Sequence, residues 1–202
     1  MKAAIRDVLE TLILTVLIFF VVQSIVKNFR VEGTSMEPTL QNNEFLLVDR
    51  AVYWSLPAGL VDRVVPSASA SNNYNNGGRV FLFRGPKRGD IIVFQYPRDP
   101  SRQFIKRVIG VPGDVVQIQD SRVYVNNVPL SEPYIMAPPH YTMAPEKVPP
   151  GEYFVLGDNR NDSSDSHVWG MVPWYYITGQ AWITYWPLAD WRFFPANPMA
   201  AP

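Results

Sequence analysis

The chain has 202 residues, 47% hydrophobic and 13% aromatic, which is enough apolar side chain for a packed core and too much for global disorder. Lys+Arg and Asp+Glu number 18 each, so no basic surplus exists to displace counterions from a nucleic acid. There is no cysteine and there are only two histidines, His140 and His167. That composition excludes disulfide scaffolds, zinc ribbons, thiol nucleophiles and multi-histidine metal sites, and leaves Ser, Lys, Asp, Glu and Tyr to carry any chemistry.

After a tail over residues 1–10, the first predicted element is an uncharged apolar segment over 11–26, TLILTVLIFFVVQSIV, bounded by Glu10 and Lys27. Its helical length is about 24 Å, and Leu9 with snorkelling Glu10 and Lys27 brings it to a bilayer's hydrocarbon thickness. Three readings compete: a membrane anchor, a cleavable signal peptide and a buried core helix. A signal peptide needs small residues just after the apolar run, which Val22-Gln23-Ser24 supplies poorly. A core helix needs a polar stripe, and Leu12 to Val22 has almost none. The segment therefore reads as an anchor. Lys2 and Arg6 before it and Lys27 and Arg30 after it leave its orientation open.

From residue 27 the pattern changes to short β-branched runs separated by Gly, Pro, Asn and Asp. Predicted strands are 44–49, 90–96, 104–109, 115–118, 122–125, 153–156 and 180–186. Asn126-Asn127 is a hairpin turn signal. No long helical period follows the anchor, so the body over 27–202 is expected to be an antiparallel all-β domain. Residues 61–78 are expected to form a mobile insertion, since PSASASNNYNNGG holds small polar and turn-forming residues. The proline-rich stretch from Leu130 to Pro150 blocks ladder hydrogen bonds and is expected to form, with the hairpin before it, a small lobe over about 115–150. Five of the six tryptophans fall in the C-terminal third, as core or as an aromatic rim facing a membrane.

Three segments carry candidate chemistry. Gly33-Thr34-Ser35-Met36-Glu37-Pro38 sets a serine on a constrained turn, although most serines in such loops are simply turn residues. Phe104-Ile105-Lys106-Arg107-Val108 puts Lys106 on the strand face of Phe104 and Val108. Desolvation there lowers a lysine's pKa toward that of a usable base; the plain alternative is a snorkelling strand lysine. Gly157 to Gly170, GDNRNDSSDSHVWG, is dense in hydrogen-bonding side chains; the plain alternative is a loop that satisfies itself. A calcium loop does not fit, because Arg160 occupies a ligand position.

In order, Gly33–Leu40, Arg88–Phe94 (RGDIIVF), Phe104–Asp114 (FIKRVIGVPGD) and Gly157–Gly170 resemble the motifs of the type I signal peptidase (leader peptidase) family. The resemblance covers residues 5–187, and the Asn161 and His167 forms of the last motif look most like the cyanobacterial and plastid thylakoid branch. It implies a single transmembrane helix followed by an antiparallel β-sheet catalytic domain. It implies a serine endopeptidase that removes signal peptides from exported preproteins, cutting after small residues at −1 and −3, with no cofactor or metal. The partners implied are preproteins and the lipid bilayer. The location implied is the plasma or thylakoid membrane, with the catalytic domain on the extracytoplasmic or lumenal side.

Residue by residue, the resemblance makes Ser35 the nucleophile and Lys106 its general base. It makes Ser163 a serine that orients the lysine, Asp165 an acidic brace, and Asp158 with Arg107 a structural ion pair. Met36, Leu40 and Ile105 match positions near the substrate pockets, with core packing as the plain alternative. Two departures stand out. Gly33 lacks the hydroxyl that some members use as a second oxyanion donor. His167 stands where many members have Arg, which opens a rival triad of Ser35, His167 and Asp165.

Other readings are weaker. Ser24-Ile25-Val26-Lys27 spells SxxK, but at a helix end and without SDN or KTG elements. Self-cleaving repressors use a Ser/Lys pair but carry a DNA-binding region instead of an apolar helix. A membrane-anchored binding module or a catalytically dead relative is opposed by the presence of both Ser35 and Lys106. Ala68-Ser69-Ala70 resembles a small-x-small cleavage site for self-processing.

Overall fold

The computed structural model describes residues 2–64 and 77–194. Helix α1 spans Lys2–Ile25. No glycine or proline occurs before Gly33, so nothing in the local sequence breaks the helix earlier. The expected tail is thus helical from residue 2, and the helix stops at Ile25 because Val26 enters a sheet opposite Asp49. Residues 6–25 form a 20-residue stretch of mean hydropathy 2.3 with none of it buried against the rest of the chain. Twenty helical residues rise about 30 Å, the thickness of a bilayer's hydrocarbon. Thr11, Thr15 and Ser24 return their hydroxyls to backbone carbonyls a turn earlier, so the helix's described hydroxyls need no water.

The strands in chain order are β1 Val26–Arg30, β2 Phe45–Asp49, β3 Ser55–Pro57, β4 Arg79–Phe81, β5 Ile91–Tyr96, β6 Asp99–Gly110, β7 Val115–Gln119, β8 Arg122–Val125, β9 Val128–Pro129, β10 Met143–Lys147, β11 Glu152–Leu156, β12 Val172–Pro173, β13 Ile177–Trp186 and β14 Arg192–Phe193. Short helices α2, Ala58–Val64, and α3, Ser166–Trp169, interrupt them. The main sheet runs β1-β2-β13-β5-β6-β11-β12 with β14 beside β13, and every pairing is antiparallel. A second antiparallel sheet runs β10-β7-β8-β9, and β3 pairs with β4. All seven predicted strands are present, as β2, β5, β6, β7, β8, β11 and β13.

The differences have local causes. Residues 61–64 of the expected insertion are helical within α2, and 65–76, with Ala68-Ser69-Ala70, lie outside the described residues. β6 begins five residues before the predicted start, because polar Asp99–Gln103 has no apolar alternation to signal a strand. β10 forms inside the proline-rich stretch, with Pro145 at a register shift between Met143 and Glu146, where a missing N–H breaks no ladder bond. Asn126 and Asn127 both have positive φ, 55° and 66°, as a two-residue hairpin between β8 and β9 requires.

Residues 91–94 of β5 and 105–110 of β6 are covered on both faces and are the spine of the fold. One core cluster joins Val31, Met36, Leu40, Leu46, Val48, Ile91, Val93, Ile105 and Ala181. A second, on the opposite side, gathers Ile92, Phe94, Val108, Tyr153 and Trp169. A third makes the small sheet continuous with the large one through Ile109, Phe154 and Leu156. Trp169 is therefore core, while Trp182, Trp186 and Trp191 are exposed.

Candidate active site

Ser35 sits on the turn that follows β1. Gly33 adopts φ 92°, a left-handed conformation that strains any residue with a Cβ, which accounts for glycine here in place of a hydroxyl-bearing side chain. Beyond it, Glu37 N–H donates to Thr34 O at 3.0 Å and Leu40 N–H to Met36 O at 2.9 Å. Met36 and Leu40, 1% and 0% exposed, drive this turn into the first core cluster and leave Ser35 half-buried above it. The turn is also stitched to the 157–170 loop. Thr34 Oγ1 donates to Asp162 Oδ2 at 2.6 Å, Asn159 N–H to Ser35 O at 3.1 Å, and Asn159 Nδ2 to Thr34 O at 3.3 Å.

Lys106 comes from the middle of β6, opposite Ile92 of β5. Its side chain reaches across to the turn, with Nζ 2.7 Å from Ser35 Oγ and donating to Ile105 O at 3.0 Å. Nζ also lies 5.5 Å from the ring centre of Phe104, its neighbour on the same strand face. Lys106 is 4% exposed. Burial pushes its amine down from the ordinary 10.5 to about 8, and the opposing pull of Asp165 and then Asp158 does not restore it. A hydroxyl in hydrogen-bond contact with an amine whose proton is loosened by burial has the geometry a nucleophile and its general base require.

The 157–170 loop supports both residues. Arg107, beside Lys106 in the chain, makes a buried two-pronged ion pair with Asp158, Nε–Oδ1 2.8 Å and Nη2–Oδ2 2.6 Å. Thr39 donates to the same carboxylate, and the Arg107 guanidinium lies 4.0 Å from the Tyr134 ring centre. Asp165 is fully buried; its Oδ2 accepts from Gly157 N–H at 2.9 Å, and its Oδ1 is 2.6 Å from His167 Nδ1. The ring of His167 stacks on Tyr141 with centroids 3.9 Å apart. Two legs of the rival triad are thus separated: His167 is held by Asp165, while Ser35 meets Lys106, and no hydrogen bond joins His167 to Ser35 among the described residues.

Ser163 departs from expectation. Its Oγ is buried without a hydrogen-bond partner, so the expected bond to Lys106 is not formed. The Ser163 hydroxyl lies against Gly157, where it and the Ser35 carbonyl fill the space that a side chain would take. Lys106 directs its donors to Ser35 and Ile105 instead.

A cleft of about 660 Å³ opens at Ser35 and Lys106. β1 walls one side through Asn28, Phe29 and Arg30, and the first half of β6 walls the other through Ser101, Gln103, Phe104 and Ile105. Among the described residues β1 pairs only with β2, and β11 pairs with β6 only from Arg107 onward, so both walls present unpaired strand edge. Ile105 lines the cleft; Met36 and Leu40 do not, because both are spent in the core beneath the turn.

Several supporting residues gave no sequence signal. Glu132 receives a buried two-pronged pair from Arg160 at 2.8 and 2.6 Å. Asn161 clasps the proline-rich stretch through Pro138 O at 2.9 Å and His140 N–H at 2.8 Å. Arg160 and Asn161 were visible as residues of the last motif, but nothing local marks their partners 20 to 30 residues away.

Comparison with known proteins shows what the chain is similar to. The family model for signal peptidase, peptidase S26, matches residues 5–186. A probable signal peptidase I-2 of Synechocystis is 37% identical over 89% of this chain and 72% of its own. A signal peptidase I of Leptolyngbya laminosa is 38% identical over 89% of this chain and 79% of its own. A chloroplastic thylakoidal processing peptidase 1 of Arabidopsis thaliana is 37% identical over 61% of this chain and 41% of its own.

Proposed function

The chain belongs to the signal peptidase family, peptidase S26, and from that premise we propose that it is a membrane-anchored endopeptidase that cuts signal peptides by a Ser35/Lys106 dyad. The observation that carries the dyad is the 2.7 Å contact between Ser35 Oγ and a Lys106 amine held 4% exposed. Neutral Nζ takes the Ser35 proton as Oγ attacks the scissile carbonyl carbon. The carbonyl oxygen becomes an oxyanion beside the Ser35 N–H. Collapse of the tetrahedral intermediate breaks the C–N bond, and Nζ gives its proton to the departing amine. A water molecule, deprotonated by Nζ, then hydrolyses the acyl-enzyme and frees Ser35.

The cleft supports an extended substrate. A preprotein segment laid between β1 and the first half of β6 completes backbone hydrogen bonds on both edges and exposes alternate side chains to the walls. Side chains facing the floor meet Ile105 close to Ser35, which supports the preference for small residues at −1 and −3. Residues 6–25 of α1 anchor the enzyme in the plasma or thylakoid membrane, and the β domain with its small lobe acts on the extracytoplasmic or lumenal side. Asp158 and Arg107 hold the loop to β6, and Asp165 braces it.

The test uses the detergent-solubilised full chain and a preprotein with alanine at −1 and −3. Cleavage at the signal junction that disappears in Ser35→Ala and Lys106→Ala, and for a preprotein with leucine at −1, is the expected result. Cleavage that survives Lys106→Ala but is lost in His167→Ala would replace the dyad with the triad.

A further inference from the structure

His167 occupies an unusual place for a titratable ring. Its Nδ1 is 2.6 Å from Asp165 Oδ1, its face is covered by Tyr141, and its side chain is only 17% exposed. Asp165 in turn holds Gly157 N–H at 2.9 Å, and Gly157 packs directly under the Ser35 carbonyl. The same carboxylate is the strongest electrostatic influence favouring the charged form of Lys106. One carboxylate therefore holds an imidazole at hydrogen-bond distance and acts electrostatically on the base.

Resting on the dyad reading above, we propose that His167 is a positioning residue that acts through Asp165, so that charge at position 167 governs how readily the Lys106 amine gives up its proton. A cation at 167 offsets the Asp165 charge and releases the lysine proton at lower pH; a neutral side chain leaves the carboxylate unopposed and holds that proton to higher pH. The other charged or titratable groups about this pair are fixed in partnerships of their own. Asp158 is held by Arg107, Arg160 by Glu132, and Arg98 donates to Val168 O at 3.4 Å beside the ring. Tyr141 contributes its ring face, with burial raising its hydroxyl well above the ordinary value.

Two replacements separate the charge from the shape. His167→Asn keeps an N–H donor where Nδ1 stands and is always neutral; His167→Arg is always charged. The acid limb of kcat/KM for a preprotein is measured for both variants and the unmodified full chain, with Ser35→Ala as the blank. The limb of His167→Arg is expected at lower pH than that of His167→Asn by roughly half a pH unit or more, so that rates on the limb differ about threefold or more. The unmodified enzyme lies at or between the two. Coincident limbs in the two variants would overturn the inference while leaving the dyad intact. Should one variant fold poorly, the other is read against the unmodified enzyme. Cleavage in Ser35→Ala would instead remove the reading on which it rests.

Discussion

Replacing Lys106 with methionine should make the protein more stable and inactive at the same time. The amine is 4% exposed, and its depression from 10.5 to about 8 measures the free energy of holding a proton on it in the folded state. At about 1.4 kcal/mol per pH unit, that is about 3 kcal/mol. Methionine matches the stem of lysine and gives up the hydrogen bonds to Ser35 Oγ and Ile105 O, which together offset about 2 kcal/mol, so the net gain is about 1 kcal/mol. The pH dependence is specific. Below about pH 8 folded and unfolded chains both carry the proton, and the folded enzyme bears the full cost. Between about 8 and 10.5 the unfolded chain binds more protons than the folded one, so the stability of the unmodified enzyme rises with pH. Above 10.5 both forms are neutral, the cost is gone, and the hydrogen bonds of Lys106 leave the unmodified enzyme the more stable of the two. Thermal unfolding of the detergent-solubilised full chain should give a Tm about 2–4 °C higher for Lys106→Met at pH 7, with the gap narrowing and reversing as pH approaches 10.5. A variant that is less stable at pH 7, or a gap that does not change with pH, would refute the reasoning that burial destabilises the charged lysine.

Further outcomes follow from the same contacts. Because attack needs the neutral amine, kcat/KM should rise with pH through about 8; a limb near the ordinary lysine value would mean that Lys106 is solvated in the working enzyme. Gly157→Ala drives a methyl group into the Ser35 carbonyl and Ser163, so kcat should fall about 10–100-fold with KM little changed in steady-state kinetics. Asp158→Asn leaves Arg107 as an uncompensated buried cation and should cost about 3–5 kcal/mol, seen as a lowered Tm; equal stability would show that Thr39 and the Tyr134 ring suffice to hold the guanidinium.

The apolar strands were legible because burial on both faces writes continuous runs such as Ile91–Phe94 and Tyr153–Leu156. The meeting of Ser35 and Lys106 was legible because their two motifs resemble a family pattern in a fixed order, and strand alternation put Lys106 on the face of Phe104, where the structure has it. What escaped the sequence is what depends on chain pairing. β1 reads VKNFR and is a strand only because β2 lies beside it. Met36 and Leu40 match pocket positions by motif, yet the turn that carries them closes over the core and turns them inward. The Ser163 bond to Lys106 fails for a similar reason, since the lysine's donors are set by where the Ser35 turn lies.

The placement of β1 links the anchor to the chemistry. Val26 follows Ile25 directly, and Asn28 to Arg30 already wall the cleft, three to five residues from the end of α1. Three residues reach at most about 11 Å. With α1 spanning a bilayer as proposed, the mouth of the cleft lies within a strand's reach of the lipid surface. A signal peptide still embedded by its apolar segment can then thread its extended end along the same strand. This arrangement requires that one edge of β1 stay open, and an open edge invites pairing with other chains. The residues that made β1 hard to read as a strand answer that risk. Lys27, Asn28 and Arg30 are charged or polar, and Lys27 crosses the gap to Gln103 of β6 at 3.3 Å. The polarity that hides β1 from hydrophobic patterning therefore lets it remain a template for the substrate without becoming one for a second copy of the enzyme.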